Sequence, residues 1–118
     1  MQILVIDDDA IIIKSCIRIL ESEGIGVSTA RNADEAPEVI RKGNFDLLLI
    51  DVKMPKRDGL SLVKEIRQDF PKLPIIVMSG YPTTETIADV VKSGATQFIA
   101  KPFKPDELIK LIRQILPT

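Results

Sequence analysis

The side chains best suited to chemistry stand where short apolar runs of the sequence end. Three acids follow the first run, one acid follows the third, a serine the fourth and a lysine the fifth. In chain order they are Asp7, Asp8, Asp9, Asp51, Ser79 and Lys101. Two carboxylates about 4 Å apart repel by about 4 kcal/mol at an effective dielectric of 20. Acids gathered at one place therefore need cations, which Lys101 and a divalent metal would supply; oxygen ligands favour Mg²⁺ over zinc.

These side chains meet only if the apolar runs are strands of one sheet. The runs predict five β-strands at residues 3–6, 26–30, 46–50, 74–78 and 97–100. Between them, apolar residues three or four positions apart predict amphipathic helices. The expected inward-facing residues are Ile13, Ile17 and Leu20, then Val39 and Ile40, then Leu62, Val63 and Ile66, then Ile87, Val90 and Val91, and finally Leu108, Leu111, Ile112 and Ile115.

Strands that alternate with helices predict right-handed crossovers and an α/β fold, with a parallel sheet covered by helices on both faces. For five strands in a chain of this size, the flavodoxin-like order 2-1-3-4-5 fits. Ligands of such sheets bind beyond the carboxyl ends of the strands. The fold would therefore bring the acids, the hydroxyl and the lysine to one edge.

The ends of the helices have their own signals. Asp9 is expected to cap the first helix, Asn32 and Glu35 to form a capping box, and Asp58 or Ser61 to cap the third helix. Three glycines follow helices, where a left-handed residue is favoured: Gly24, Gly43 and Gly94. Pro37 falls about one turn into the second helix and removes a backbone donor there, so this helix should be short or distorted.

Composition limits the class of protein. The 118 residues predict one domain, 1–118, and the net charge of −1 gives no basic surface for nucleic acid or anionic membrane. Ile, Leu and Val number 37 against five aromatics, as expected around a buried parallel sheet. Histidine is absent, which excludes Ser-His-Asp catalysis and His-ligated zinc. The single Cys16, with no signal peptide or membrane span, predicts a cytoplasmic protein.

Each candidate also has a structural interpretation. Asp9 is explained by capping, a lone lysine is usually a solvated charge, and a serine at a strand end usually bonds locally. Phe98, within the fifth strand, would ordinarily belong to the core. The functional interpretation is favoured because these side chains end four different strands on the same side.

The sequence resembles the receiver domain of bacterial two-component response regulators, of the chemotaxis-regulator type. Four motifs carry the resemblance, in the order and spacing of the family. They are ILVIDDD at 3–9, DLLLIDVKMP at 46–55 with Asp58-Gly59 after it, IVMSG at 76–80, and Gly94-Ala95 leading to Lys101-Pro102-Phe103. Together they cover the whole chain.

The resemblance implies a phosphorylation-dependent signalling switch with no turnover substrate. Asp51 would accept a phosphoryl group from a histidine kinase or phosphotransfer protein, while Asp7, Asp8, Asp51 and the backbone carbonyl of Lys53 would bind Mg²⁺. Ser79 and Lys101 would contact the phosphoryl group. Phe98 would be the switch aromatic, and the Lys101-Pro102 bond is expected to be cis.

The resemblance also implies an output surface, formed by the fourth helix, fifth strand and fifth helix. It would bind an effector domain or protein, or dimerise on phosphorylation. Its charged residues are expected to be Asp89, Lys92, Lys104, Lys110 and Arg113. No effector domain is expected within 1–118.

Two positions at which the family varies are expected to tune the lifetime of the phosphoryl group. Lys53 would place a cation near the path of the attacking water, and Tyr81 is a bulky residue beside the same path. Lys53 also argues against a phosphohydrolase, because haloacid-dehalogenase-like phosphatases carry a second aspartate at that position. A nucleotide- or flavin-binding module would need a glycine-rich phosphate loop after the first strand, where this chain has acids. A receiver-shaped module that is never phosphorylated stays as a further alternative.

Overall fold

The strands and helices alternate along the chain as the apolar pattern predicts. A computed structural model describes residues 1–54, 57–80 and 84–117, without the side chains of 84–86. The elements are β1 (Gln2–Ile6), α1 (Ala10–Glu21), β2 (Gly26–Ala30), α2 (Ala36–Lys42), β3 (Leu47–Asp51), α3 (Gly59–Asp69), β4 (Ile75–Ser79), α4 (Thr84–Ser93), β5 (Gln97–Ala100) and α5 (Pro105–Ile115). Among the described residues no helix is long and apolar enough to cross a membrane.

The five strands form one parallel sheet in the order β2-β1-β3-β4-β5, which confirms the α/β fold and the predicted strand order. Three strands differ by one residue from the prediction: β1 begins one residue earlier, and β3 and β4 each begin and end one residue later. β3 includes Asp51 and β4 includes Ser79, each as its last residue. In the register, Asp51 pairs with Met78 and Ser79 with Ala100, so these strand ends lie at the same edge.

The core lies on both faces of the sheet because the central strands carry four consecutive apolar residues each. Leu48 and Ile50 pack with α2, α3 and α4, whereas Leu47 and Leu49 pack with α1 and α5. All four side chains are fully buried. Continuous burial of this kind is expected for a parallel strand covered on both sides.

The predicted inward face of α4 is wrong at two of three positions. Val90 is buried, but Ile87 is 42% exposed and Val91 is 71% exposed. α4 covers the sheet near the short edge strand β5, where Val90 and the buried Ser93 supply its contacts with the core. Helical spacing places Val91 beyond that narrow contact.

The cap signals are mostly confirmed. The Oδ1 of Asp9 accepts from the Ile11 amide at 2.9 Å, and the Oδ1 of Asp58 accepts from the Ser61 amide at 2.7 Å. The Oδ1 of Asn32 accepts from the Glu35 amide at 2.9 Å, although α2 begins only at Ala36.

Two expectations about helix ends need correction. Gly24 and Gly94 have φ values of 75° and 97°, but Gly43 is extended, with φ −99° and ψ 179°. Pro37 lies in the first turn of α2, where its missing amide would have had no intrahelical partner. The helix is nevertheless short, at seven residues, as predicted.

Arg67 joins segments that the sequence pattern did not connect. Its guanidinium donates to the carbonyls of Gly94, Phe70 and Leu73 at 2.8, 2.9 and 2.6 Å, and to the Oγ1 of Thr96 at 3.4 Å. Burial lowers the pKa of this guanidinium. Arg67 thereby ties the end of α3 to the segment that follows α4, at the edge of the sheet remote from the acids.

Candidate acidic site at the carboxyl edge of the sheet

Two buried carboxylates lie side by side at this edge. Asp7 directly follows β1, and Asp51 ends the neighbouring strand β3. Their residues are 0% and 6% exposed, which is rare for carboxylates unless they are paired. The alternation of side chains along both strands directs them to the same face of the sheet as Val5 and Leu49.

Lys101 bridges these carboxylates from the end of β5. Its Nζ lies 3.0 Å from the Oδ2 of Asp7 and 3.0 Å from the Oδ1 of Asp51. The other oxygen of Asp7 accepts from the Asp9 amide at 2.9 Å. One cation therefore faces two anions, and the site retains an excess of negative charge.

Burial, together with the charges and hydrogen bonds within the site, shifts the pKa values of Asp51 and Lys101. Burial raises the pKa of Asp51 to about 6; the hydrogen bond from Lys101 opposes this rise, and the charge of Asp7 adds to it. Burial disfavours the Lys101 ammonium, but its hydrogen bonds with Asp7 and Asp51 outweigh burial and raise its pKa. Lys101 is therefore a cation near neutral pH, whereas Asp51 holds its proton to a higher pH than an exposed aspartate does.

The acids form a group that fits a divalent metal. Asp7, Asp8 and Asp51 each offer a carboxylate oxygen, and these oxygens lie within 4.8 Å of one another. Asp8 is exposed while the other two are buried, so the group is open on one side. An open set of carboxylate oxygens suits Mg²⁺, which retains waters and takes one or two carboxylates with a phosphate.

Asp51 also lines a cavity of about 180 Å³. It is lined by Asp51, Val52, Lys53, Ser79, Gly80 and Lys101. The structure thus brings together all the residues that were predicted to hold a metal or a phosphoryl group. Asp51 belongs both to the group of acids and to the lining of this cavity. A group attached to Asp51 would therefore lie near a hydroxyl, an ammonium and the other two acids.

The other predicted residues are placed less directly at the site. Phe98 lies in β5, where it pairs with Val77 of β4, and it is half-buried against the core on the α4 side. The Lys101-Pro102 peptide bond is cis. Tyr81 lies outside the described residues.

The charged residues expected on the output surface do not all share one surface. Asp89, Lys92, Lys104 and Lys110 are exposed. Arg113 instead pairs with Glu23, just past α1, at 2.8 Å. Arg113 therefore faces α1. On α4, the apolar Ile87 and Val91 are exposed.

Gly59 is a site-adjacent residue to which the sequence motif assigned no role. It begins α3, and its amide donates to the Val52 carbonyl at 2.7 Å. The Asp58-Gly59 pair was visible in the sequence, but its contact with the residue after β3 was not.

Comparisons with known proteins agree with this geometry. Residues 3–113 match the response regulator receiver domain family. The chain is 35% identical over 113 residues to the transcriptional regulatory protein DltR of Streptococcus agalactiae, covering 96% of this chain and 50% of that protein. It is 34% identical over 112 residues to the DNA-binding transcriptional regulator NtrC of Escherichia coli, covering 95% of this chain and 24% of that protein.

A comparison with solved structures also finds proteins of the same fold. The structure superimposes on the Vibrio cholerae chemotaxis protein CheY4 with a TM-score of 0.93 and 30% identity, covering 98% of each chain. The chain spans half or less of the length of the two regulators named above. Family match, fold and acidic site agree: this chain belongs to the response regulator receiver domains, the phosphorylation switches of two-component signal transduction.

Proposed function

We propose that Asp51 accepts a phosphoryl group from a partner histidine kinase or phosphotransfer protein in a reaction that requires Mg²⁺. One observation carries the proposal: the buried Asp51 carboxylate lies 3.0 Å from the Lys101 ammonium, within the group of three acids, and lines the cavity at Ser79. In-line transfer needs such a nucleophile, with positive charge on the transferring oxygens.

The residues have distinct parts in the transfer. An oxygen of Asp51 attacks phosphorus, the bond from phosphorus to the donor nitrogen breaks, and its electron pair stays on that nitrogen. Mg²⁺, held by Asp7, Asp8, Asp51 and the Lys53 carbonyl, would supply positive charge to the carboxylate and the phosphoryl oxygens. Lys101 would pair with the phosphoryl group once Asp51 carries it as an acyl phosphate. The Ser79 hydroxyl would donate to another phosphoryl oxygen.

The signal would then pass along β5. Ser79 pairs with Ala100 in the sheet, two residues from Phe98. Phe98 also lines an open groove of about 370 Å³ between β5 and α5, together with Leu111 and Lys110. A movement of Ser79 toward the phosphoryl group would give the Phe98 ring a new position and so reshape the α4, β5 and α5 surface.

This surface would bind the output partner, which is an effector domain or a separate protein, or a second copy of the chain. The exposed Ile87 and Val91 give it apolar contact area. The proposal includes no turnover substrate and no direct nucleic-acid contact by this chain. The cytoplasmic location predicted from the sequence remains part of the proposal.

The decisive experiment is phosphorylation by a small acyl phosphate in the presence of Mg²⁺. Intact mass should increase by one phosphoryl group in the wild type. The increase should be absent from Asp51→Asn and from wild type treated with a chelator. A folded wild-type protein that binds Mg²⁺ but gains no mass from either the acyl phosphate or a phosphorylated kinase would instead support a module that acts by binding alone.

The lifetime of the phosphoryl group provides a second test. Lys53 is exposed at the rim of the cavity beside Asp51. We predict that Lys53→Asn accelerates dephosphorylation about tenfold, equal to roughly 1.4 kcal/mol in the barrier, because the cation obstructs the attacking water. Loss of the phosphoryl mass is timed after removal of the donor, with Lys64→Asn on α3 as the control. An unchanged rate would contradict the role of Lys53, while the corresponding role of Tyr81 remains a prediction.

A further inference from the structure

The connection from β3 to α3 is closed at its base by one short hydrogen bond. The amide of Gly59, the first residue of α3, donates to the carbonyl of Val52 at 2.7 Å. Val52 itself donates to the Met78 carbonyl of β4 at 2.9 Å. The end of the acceptor strand is thus held from two sides, by β4 and by the first turn of α3.

This closure leaves no room for a side chain at position 59. A Cβ there would overlap the backbone oxygen of Asp51 and lie 2.9 Å from the Asp51 carbonyl carbon. It would also lie 3.1 Å from the Cγ2 of Ile50. The φ of Gly59 is not in the left-handed region. Close approach to the Asp51 backbone, and not an unusual conformation, is therefore what requires glycine.

A displacement at Gly59 would be transmitted mainly toward the site. On the helix side, Leu62 and Val63 are fully buried and Ile66 is 4% exposed, so α3 is firmly packed. On the loop side, Lys53 and Asp58 are exposed. Because a packed interior resists displacement, the exposed backbone at Lys53, which follows the buried Asp51, would move more readily than the helix.

We propose that Gly59 is a positioning residue for the phosphoacceptor. By allowing α3 to approach the Asp51 backbone, it holds two proposed Mg²⁺ ligands in one arrangement, the Asp51 carboxylate and the Lys53 carbonyl. This inference rests on the proposed function. Partners that orient metal ligands commonly contribute 10- to 100-fold to metal affinity or activity, and Gly59 would act in this way through the backbone.

The test compares Mg²⁺ binding by wild type, Gly59→Ala and Ile66→Val, measured by titration calorimetry. Gly59→Ala should weaken Mg²⁺ binding about tenfold and slow phosphorylation by the acyl phosphate. Ile66→Val loses a core methyl group on the same helix without touching the site, so it should bind Mg²⁺ like the wild type. Circular dichroism identifies the temperatures at which each variant is folded.

A second measurement needs no variant. If opening of the Gly59 hydrogen bond weakens Mg²⁺ binding about tenfold, as proposed for Gly59→Ala, saturating Mg²⁺ should slow hydrogen exchange at the Gly59 amide of the wild type about tenfold, because linkage is reciprocal. Equal Mg²⁺ affinity in wild type and Gly59→Ala would overturn the inference. If Gly59→Ala does not fold, the inference would be overturned by a wild-type protein in which Mg²⁺ leaves hydrogen exchange at the Gly59 amide unchanged. A wild-type protein that binds no Mg²⁺ would overturn the proposed metal site and this inference with it, whereas the other outcomes leave the proposed function intact.

Discussion

Replacement of Lys101 by methionine should slow the phosphorylation of Asp51 by an acyl phosphate about 100-fold. Removing one preorganised charge from a site of developing charge typically costs 10²- to 10³-fold in rate. Lys101 is the cation that bridges Asp7 and Asp51, at 3.0 Å from each. Methionine retains much of the aliphatic stem and removes the charge. The measurement is the time course of the phosphoryl mass increase.

The same variant should bind Mg²⁺ at least as tightly as the wild type, because Lys101 competes with a metal for the oxygens of Asp7 and Asp51. If Lys101→Met loses phosphoryl transfer but still binds Mg²⁺, the loss is caused by the missing cation and not by misfolding of the site. Lys104→Met is the control, since Lys104 is exposed on the same loop. A wild-type rate in Lys101→Met would contradict the proposed contact with the phosphoryl group.

Replacement of Asp51 by asparagine should stabilise the metal-free protein at pH 7.5 by about 3 kcal/mol, since one pKa unit corresponds to about 1.4 kcal/mol. Burial raises the pKa of Asp51 from its ordinary 3.8 to about 6. The folded state thus holds the proton more tightly than the unfolded chain. The stability contributed by the protonated form is complete below pH 4 and is lost as the pH rises through 6.

Asparagine carries no charge, so the variant does not suffer this loss. The difference in free energy of unfolding should therefore be largest above pH 6 and approach zero at pH 4. Urea denaturation at several pH values in a chelating buffer measures it, with Asp34→Asn as an exposed control. A pH-independent difference would show that Asp51 does not titrate with a raised pKa.

Much of the fold followed from local patterns. A few neighbouring residues are enough to identify apolar runs such as Leu47 to Ile50 and helix caps such as Asp9 and Asp58. The same local information placed Asp7, Asp51, Ser79 and Lys101 at strand ends, and parallel pairing then required those ends to share an edge.

Local patterns failed where a neighbour distant in the sequence decided the outcome. Val91 has the spacing of an inward-facing residue but is exposed, because α4 contacts a narrow part of the sheet. Arg113 has the spacing of an outward-facing charge on the output surface, yet it pairs with Glu23. Periodicity identifies the apolar face of a helix without identifying what the other faces contact.

The sequence by itself therefore determined the order of the elements, the parallel sheet, and the chemistry gathered at its carboxyl edge. The tertiary structure alone decided how closely the parts approach. It placed the Asp51 backbone against Gly59, and it placed the Arg67 guanidinium on carbonyls of segments up to 27 residues away. These short distances depend on how whole helices and strands pack together. The residues that contact a glycine or an arginine can lie far from it in the sequence, so its neighbours along the chain do not identify them.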